Sequence, residues 1–75
     1  MNYQVKTFRD AGLEAKWTKT PKGSPVIVAR DPNGTQHHQR TTWFYVDSTM
    51  LSMMSKEGIV AGFRSATLIA HYFSL

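Results

Sequence analysis

The chain has 75 residues, a formal net charge of +4 and no cysteine, and 41% of its residues are hydrophobic. The absence of cysteine excludes a disulfide framework and a cysteine metal site. No apolar run reaches the ~18 residues of a membrane span, and the N-terminal segment lacks the apolar core of a signal peptide. We therefore expect one small domain over residues 1–75, in a soluble, cytoplasmic (intracellular) protein of modest stability.

The first predicted element is a short helix over residues 3–11. Val5 and Phe8 are three positions apart, and Gly12 followed by Leu13 suits a left-handed C-terminal cap. A strand is the alternative, because Tyr3 and Val5 also alternate with polar residues. We prefer the helix.

Three antiparallel strands are predicted next, near residues 13–20, 25–31 and 36–46. Their two connections share one pattern, x-Pro-x-Gly-[Ser/Thr], in TPKGS at 20–24 and DPNGT at 31–35. Proline presets φ at the first loop position, and glycine accepts the positive φ of a bulged hairpin turn. Gly34 is therefore predicted at positive φ, and Gly34→Val is expected to destabilise the protein more than Gly62→Ala.

The two turns fix a register that divides the sheet into two faces. Trp17 falls opposite Ile27 in the first hairpin, while Gln39 falls opposite Ile27 in the second. The predicted core face carries Leu13, Ala15, Trp17, Ile27, Ala29, Trp43 and Tyr45. The predicted open face carries Val26, Val28 and Phe44, ringed by Lys16, Arg30, His38 and Arg40. A slip of one residue in the third strand would reverse its half of this assignment.

Two helices are predicted after the sheet. Asp47 or Ser48 caps the first, over residues 49–57, and Gly58 ends it. Its Met50, Leu51, Met53 and Met54 are interpreted as core filling, with an exposed docking surface as the alternative. A short apolar connection over 59–63 precedes a last helix over 66–73, whose predicted buried stripe is Leu68, Ile69, Tyr72 and Phe73.

These elements together predict an α+β fold class. The predicted fold is a three-stranded antiparallel sheet with a short N-terminal helix and two C-terminal helices on one face, in the order αβββαα. An α-β-β-β-α order in about 70 residues resembles the double-stranded-RNA-binding domain. That family places a lysine cluster at the start of its final helix, whereas the corresponding stretch here, DSTMLSMMSKEG, contains only Lys56. The resemblance therefore implies an order of elements and no site residues.

The positive charge lies in the first half of the chain. Residues 1–40 contain seven lysines and arginines against three acidic residues, and the charges of residues 41–75 cancel. A basic half is typical of a protein with an anionic partner, either nucleic acid or an acidic protein surface. A solvated basic surface gives the same pattern.

No motif for catalysis or metal binding is present. The chain has no G-x-S-x-G, GxGxxG, P-loop or HExxH pattern. His37 and His38 would point to opposite sides of a strand and are not expected to share an ion. We expect a non-enzymatic protein with no cofactor, no metal requirement and no small-molecule substrate. A metal-free nuclease that uses His37, His38 or His71 is a distant alternative.

The predicted open face is the candidate binding surface. Its proposed binding residues are Lys16, Val26, Val28, Arg30, His38, Arg40 and Phe44. An apolar centre inside a charged ring is typical of protein interfaces. It favours a small basic inhibitor or adaptor that acts on nucleic-acid machinery, of the phage or mobile-element accessory type. The alternative is a DNA- or RNA-binding domain that uses the same face, since basic and aromatic residues are interleaved there.

Overall fold

The computed structural model describes the backbone of residues 4–74 and the side chains of residues 4–70. Its elements in chain order are α1 (Val5–Asp10), β1 (Glu14–Lys19), β2 (Pro25–Arg30), α2 (His37–Thr41), β3 (Phe44–Tyr45), α3 (Ser48–Glu57) and α4 (Ile59–Ser74). The strands form one antiparallel sheet in the order β1-β2-β3. The predicted α+β fold is confirmed, with a helix before the sheet and two after it. Within residues 4–74, no helix has the length and apolarity to cross a membrane.

The first hairpin forms in the predicted register. Trp17 pairs with Ile27 and Ala15 pairs with Ala29. The turn is closed by the Thr20 amide, which donates to the Ser24 carbonyl at 2.8 Å, and by the Gly23 amide, which donates to the Thr20 carbonyl at 2.8 Å. Gly23 has φ of 85°, a conformation that glycine adopts without a steric penalty. The turn chemistry was therefore sufficient to predict this hairpin.

The predicted second hairpin is wrong. Its turn does form, because the Asn33 amide donates to Asp31 Oδ1 at 3.0 Å and the Gly34 amide donates to the Asp31 carbonyl at 3.1 Å. The chain then enters α2 instead of returning as a strand, and β3 contains only two residues. Gly34 is not among the glycines at positive φ. It lies close to α2 instead, and a Cβ there would be 2.9 Å from Gln39 Oε1.

A buried polar network holds α2 in this position. Gln39 is only 1% exposed, and its Nε2 donates to Thr67 Oγ1 at 2.8 Å and to the Arg64 carbonyl at 3.1 Å. The Asp31 amide donates to the Gln39 carbonyl at 2.9 Å. The buried Asp31 carboxylate pairs with Arg64 Nε at 2.7 Å. Buried polar groups are costly without partners, so these bonds favour the helix over a third long strand.

The shortened third strand reverses the predicted faces of its residues. Phe44 pairs with Ala29 and Tyr45 pairs with Val28. Phe44 therefore lies on the core side, where its ring is 6.0 Å from the ring of Phe63 and 6.0 Å from that of His38. Trp43 and Tyr45 lie on the opposite side, contrary to the prediction.

The core lies between the helices and one face of the sheet. Its buried residues are Phe8, Leu13, Ala15, Ile27, Ala29, Met50, Met54, Phe63 and Ala66. Met50 and Met54 fill the core, and Met53 and Leu51 are half-buried against it. The predicted cluster of Trp17, Ile27 and Trp43 is wrong, because Trp17 is 61% exposed and Trp43 is on the other face.

The last helix is longer than predicted. It starts directly after Gly58, so residues 59–63 are helical and not a connection. The predicted buried stripe is wrong at Leu68 and Ile69, which are exposed. Its other two members, Tyr72 and Phe73, lie outside the described side chains. The helix instead buries Phe63, Ala66 and Thr67 against the rest of the fold.

Candidate functional site: the outer face of the sheet

The face of the sheet turned away from the core is the candidate functional site, and we call it the outer face. Side chains alternate along β1 and β2, which places Lys16, Val28 and Arg30 there. Val28 pairs with Tyr45, so Tyr45 lies on the same face. Trp43 precedes Tyr45 by two residues and lies on that face as well, because side chains alternate along an extended chain. The outer face thus consists of Glu14, Lys16, Thr18, Val26, Val28, Arg30, Trp43 and Tyr45. None of these residues belongs to the core cluster.

Trp43 lies at the centre of this face, beneath two cations. Lys16 Nζ is 4.5 Å and Arg30 Cζ is 4.6 Å from the centre of its ring. Lys16 is on one edge strand and Trp43 precedes the other, so the two side chains must meet above β2. Val28 lies on β2, between its strand partners Lys16 and Tyr45, and is only 5% exposed. Each cation–π contact contributes about 0.5–2 kcal/mol, depending on exposure.

Arg30 is fixed from a second side. Its Nε lies 2.6 Å from Glu14 Oε2, across the pair that β1 and β2 form at this position. Both side chains are partly exposed, so the ion pair itself contributes little to stability. Its effect is positional, because the guanidinium is held over the indole of Trp43. Two cations and one carboxylate leave the outer face with a positive charge.

Tyr45 supplies an accessible ring beside this cluster. It is 51% exposed and pairs with Val28 on the outer face. An exposed ring next to positive charge can stack on a nucleobase while the cations hold phosphate. It can equally fit an acidic protein surface with an apolar spot.

The seven predicted binding residues divide into two groups. Lys16, Val26, Val28 and Arg30 come together on the outer face. His38 and Arg40 lie on α2 and Phe44 lies on the core side, so the structure does not bring these three to the outer face. Arg40 Nη1 instead donates to the Gly34 carbonyl at 2.8 Å, so this side chain supports the loop before α2.

The expected apolar centre of the face is also absent. Val28 is buried, Val26 is half-buried and Phe44 points to the core. Sequence reasoning missed Trp43 and Tyr45, which it had assigned to the core. Of the aromatic and apolar side chains on the outer face, Tyr45 is exposed, Trp43 and Val26 are half-buried, and Val28 is buried.

A second surface lies beside β3, and we call it the β3 groove. It has a volume of about 340 Å³ and is lined by Phe44, Tyr45, Asp47, Thr49, Met50, Ala66, Ile69 and Ala70. Asp47 is the charged residue of this lining, and its Oδ1 accepts from the Met50 amide at 2.8 Å. Tyr45 belongs to both surfaces. The groove is therefore an apolar cleft that adjoins a basic face.

The histidines do not form a metal site with acidic residues within the described part of the chain. Among residues 4–70, no group of three or more histidine, cysteine, aspartate or glutamate side chains is placed to hold an ion. The strand argument for separating His37 from His38 was wrong, because both lie on α2. His71 lies outside the described side chains.

Comparisons of the chain with protein-family models, with curated proteins and with solved structures found no match. No function can therefore be transferred from a relative.

Proposed function

We propose that the protein is a non-enzymatic binding module that holds nucleic acid on the outer face of its sheet. The arrangement that carries this proposal is Trp43 beneath the side chains of Lys16 and Arg30, at 4.5 and 4.6 Å. Cations held in place over a ring bind phosphate with less loss of side-chain freedom than free lysines do. The exposed ring of Tyr45 then offers a stacking surface for a base.

The charge of the whole chain supports the same ligand. A sequence pI near 9.8 and basic residues interleaved with aromatic ones are typical of nucleic-acid-binding domains. The geometry also weakens the case for a protein interface on this face, since Phe44, the expected central anchor, points to the core. Nucleic acid is therefore the better-supported partner of the outer face.

Salt dependence tests the proposal. Lys16→Ala should weaken binding to generic DNA or RNA, and each phosphate contact removed should lower the slope of log K against log salt by about 0.7–0.9. Lys56→Ala is the matched control, because Lys56 is an exposed lysine on α3, away from the sheet. Equal effects of the two substitutions would mean that only net charge matters and would refute a site on the outer face.

Tyr45 provides the second arm of this test. Tyr45→Ala should cost about 1–3 kcal/mol of binding free energy, the value of one base–aromatic stack. Tyr45→Phe keeps the ring and should bind nearly as well as the unchanged protein. Equal losses for both variants would assign the effect to the hydroxyl and contradict stacking.

A protein partner is the second candidate function, and the β3 groove is the observation that favours it. The groove is largely apolar, and its lining includes Ile69, an exposed residue of α4. An exposed apolar cleft beside a basic face suits an inhibitor or adaptor that engages an acidic component of nucleic-acid machinery, as in phage or mobile-element accessory proteins. The protein would then place an apolar side chain of the partner in the groove.

The groove is tested separately from the outer face. Ile69→Asp should abolish capture of a protein from lysate while leaving affinity for DNA and RNA unchanged, because apolar anchors dominate protein interfaces. Lys16→Ala should do the reverse. Loss of the same captured protein with both variants, in lysate freed of nucleic acid, would indicate that the outer face also binds protein.

A further inference from the structure

We infer that the nucleic acid held on the outer face is single-stranded, and that it passes around the β1 edge of the sheet to stack a base on Trp17. This inference rests on the proposed function. It adds the class of nucleic acid and a second contact, on the opposite side of the sheet.

The first observation is the exposure of Trp17. Its side chain is 61% exposed, although Ile27, its partner across the hairpin, is buried. Trp17 lies within a regular strand, and the hairpin is closed at its end by the Thr20–Ser24 hydrogen bonds. The indole is therefore displayed by a well-defined strand, so that stacking a base on it costs little ordering of the backbone.

The second observation is the charge around this ring. Residues 15–29, the hairpin segment around Trp17, contain Lys16, Lys19 and Lys22 and no acidic residue. The three lysines are exposed. Arg9 adds a further cation at β1, where its Nε donates to the Ala15 carbonyl at 3.1 Å. A phosphate backbone complements this run of positive charge.

The third observation is the position of the two tryptophans. β1 is an edge strand, and Lys16 and Trp17 are consecutive residues that point to opposite faces. Lys16 contacts the ring of Trp43, so a ligand that leaves Trp43 along Lys16 reaches the edge beside Trp17. The path between the two indoles therefore turns around one strand.

The path around β1 reverses direction over a short distance, and this favours single-stranded over duplex nucleic acid. A sheet layer is about 10 Å thick, which equals about three base steps of a duplex at 3.4 Å each. The persistence length of duplex DNA is about 50 nm, so a duplex does not reverse its direction around a single strand of the sheet. A single strand has freely rotating backbone bonds and unpaired bases, and every base has a face that stacks on an aromatic ring.

The test compares two probes at one salt concentration. They are an oligothymidylate of roughly 20 nucleotides, longer than the 4–16 that one small binding fold occupies, and its duplex with oligodeoxyadenylate. The single strand should bind at least about tenfold tighter. Trp17→Ala should weaken single-strand binding by about fivefold or more, the lower limit of one base–aromatic stack. Leu68→Ala, at another exposed apolar residue, is the control and should bind unchanged.

Fluorescence locates the contact. The chain has two tryptophans, so Trp43→Phe leaves Trp17 as the reporter, and oligothymidylate should quench its emission. Circular dichroism should confirm that Trp17→Ala is folded, as expected for an exposed side chain.

The outcomes separate the two proposals. Equal affinity for duplex and single strand, or a Trp17→Ala variant within twofold of the unchanged protein, would overturn this inference. The outer face would keep its proposed function if Lys16→Ala still lowered affinity and salt dependence. Failure of both probes and of the corresponding oligouridylate and its RNA duplex to bind would overturn the inference and the proposed function together.

Discussion

Among the five glycines of the chain, Gly62 is the one where an added Cβ would meet other atoms most closely. A Cβ at this position would lie 2.6 Å from the Met53 carbonyl oxygen and would also meet the backbone of Met54. Backbone atoms cannot rotate away as a side chain does, so α3 and α4 would have to move apart. The sequence suggested instead that Gly34 was the more sensitive glycine, through a positive φ that it does not have.

We predict that Gly62→Ala destabilises the protein by about 1–3 kcal/mol, the usual cost of overpacking. Helix propensity alone would make the alanine variant more stable by about 1 kcal/mol. We therefore predict a change in the free energy of unfolding opposite to the one expected from propensity. Urea unfolding measures the free-energy change. Ala61→Gly, at the exposed neighbour in α4, is the control for propensity and should cost about 1 kcal/mol. A stabilised Gly62→Ala protein would contradict the close approach of the two helices.

At the scale of elements, α2 determines which side chains reach the outer face. It takes up part of the chain that was predicted as strand, and β3 then starts at Phe44 in a register that turns Trp43 and Tyr45 outward. The Val46 amide continues this pairing by donating to the Ile27 carbonyl at 2.9 Å. The aromatic content of the candidate site is therefore a consequence of a five-residue helix.

A sequence signal for this helix did exist at Gln39. The predicted register placed it opposite Ile27, on the core face, where an amide side chain has no partner within a sheet. Gln39 is indeed buried, but its partners are Thr67 and Arg64 on α4. Those partners are 25 and 28 residues away along the chain, and local patterns do not predict such contacts.

We predict that Gln39→Leu detaches α2 from α4 and loosens β3. The substitution removes three side-chain hydrogen bonds of Gln39, in which it donates to Thr67 Oγ1 and to the Arg64 carbonyl and accepts from the Gln36 amide. Their loss should cost about 1–3 kcal/mol. Hydrogen exchange should show weaker protection of the Val46 amide, while the amides of the β1–β2 hairpin keep theirs. His37→Leu is the control, since His37 lies in the same helix and its side chain is exposed. Unchanged protection at Val46 would mean that β3 holds its register without α2.

The sequence predicted the outer face correctly only where a nearby turn sets the register of the strands. Lys16, Val28 and Arg30 were placed correctly because a tight turn fixes the β1–β2 register. Trp43, Phe44 and Tyr45 were misplaced because their register depends on the α2–α4 network. The side chains that make the face a candidate for stacking are therefore those that the sequence alone did not locate.

At the scale of the whole molecule, the outer face and the core lie on opposite sides of the sheet. The helices and the core face bury the apolar residues, while the outer face and the first hairpin carry exposed cations. A ligand attracted by the basic half of the chain therefore meets Lys16, Trp43 and Tyr45 without disturbing the core. Substitutions of Lys16 or Tyr45 that weaken binding should therefore change the free energy of unfolding only slightly.

The small size of the protein makes its stability depend on few residues. At about 0.05–0.15 kcal/mol per residue, a chain of this length has a free energy of unfolding of roughly 4–11 kcal/mol. Phe63 is fully buried and its ring contacts that of Phe44 in edge-to-face geometry, with centroids 6.0 Å apart. It thereby joins α4 to the third strand at the centre of the core.

We predict that Phe63→Ala costs about 3–5 kcal/mol, the range for removing a buried phenylalanine, and leaves a substantial unfolded fraction at room temperature. Trp17→Ala removes a larger ring but should change the free energy of unfolding by less than about 1 kcal/mol, because that ring is mostly in solvent. Urea unfolding monitored by circular dichroism compares the two variants directly. The sequence pattern predicted that Trp17 is a core residue, so a large loss of stability in Trp17→Ala would restore that assignment. A buried Trp17 would also be unable to stack on a base, and the inferred single-strand path would lose its second contact.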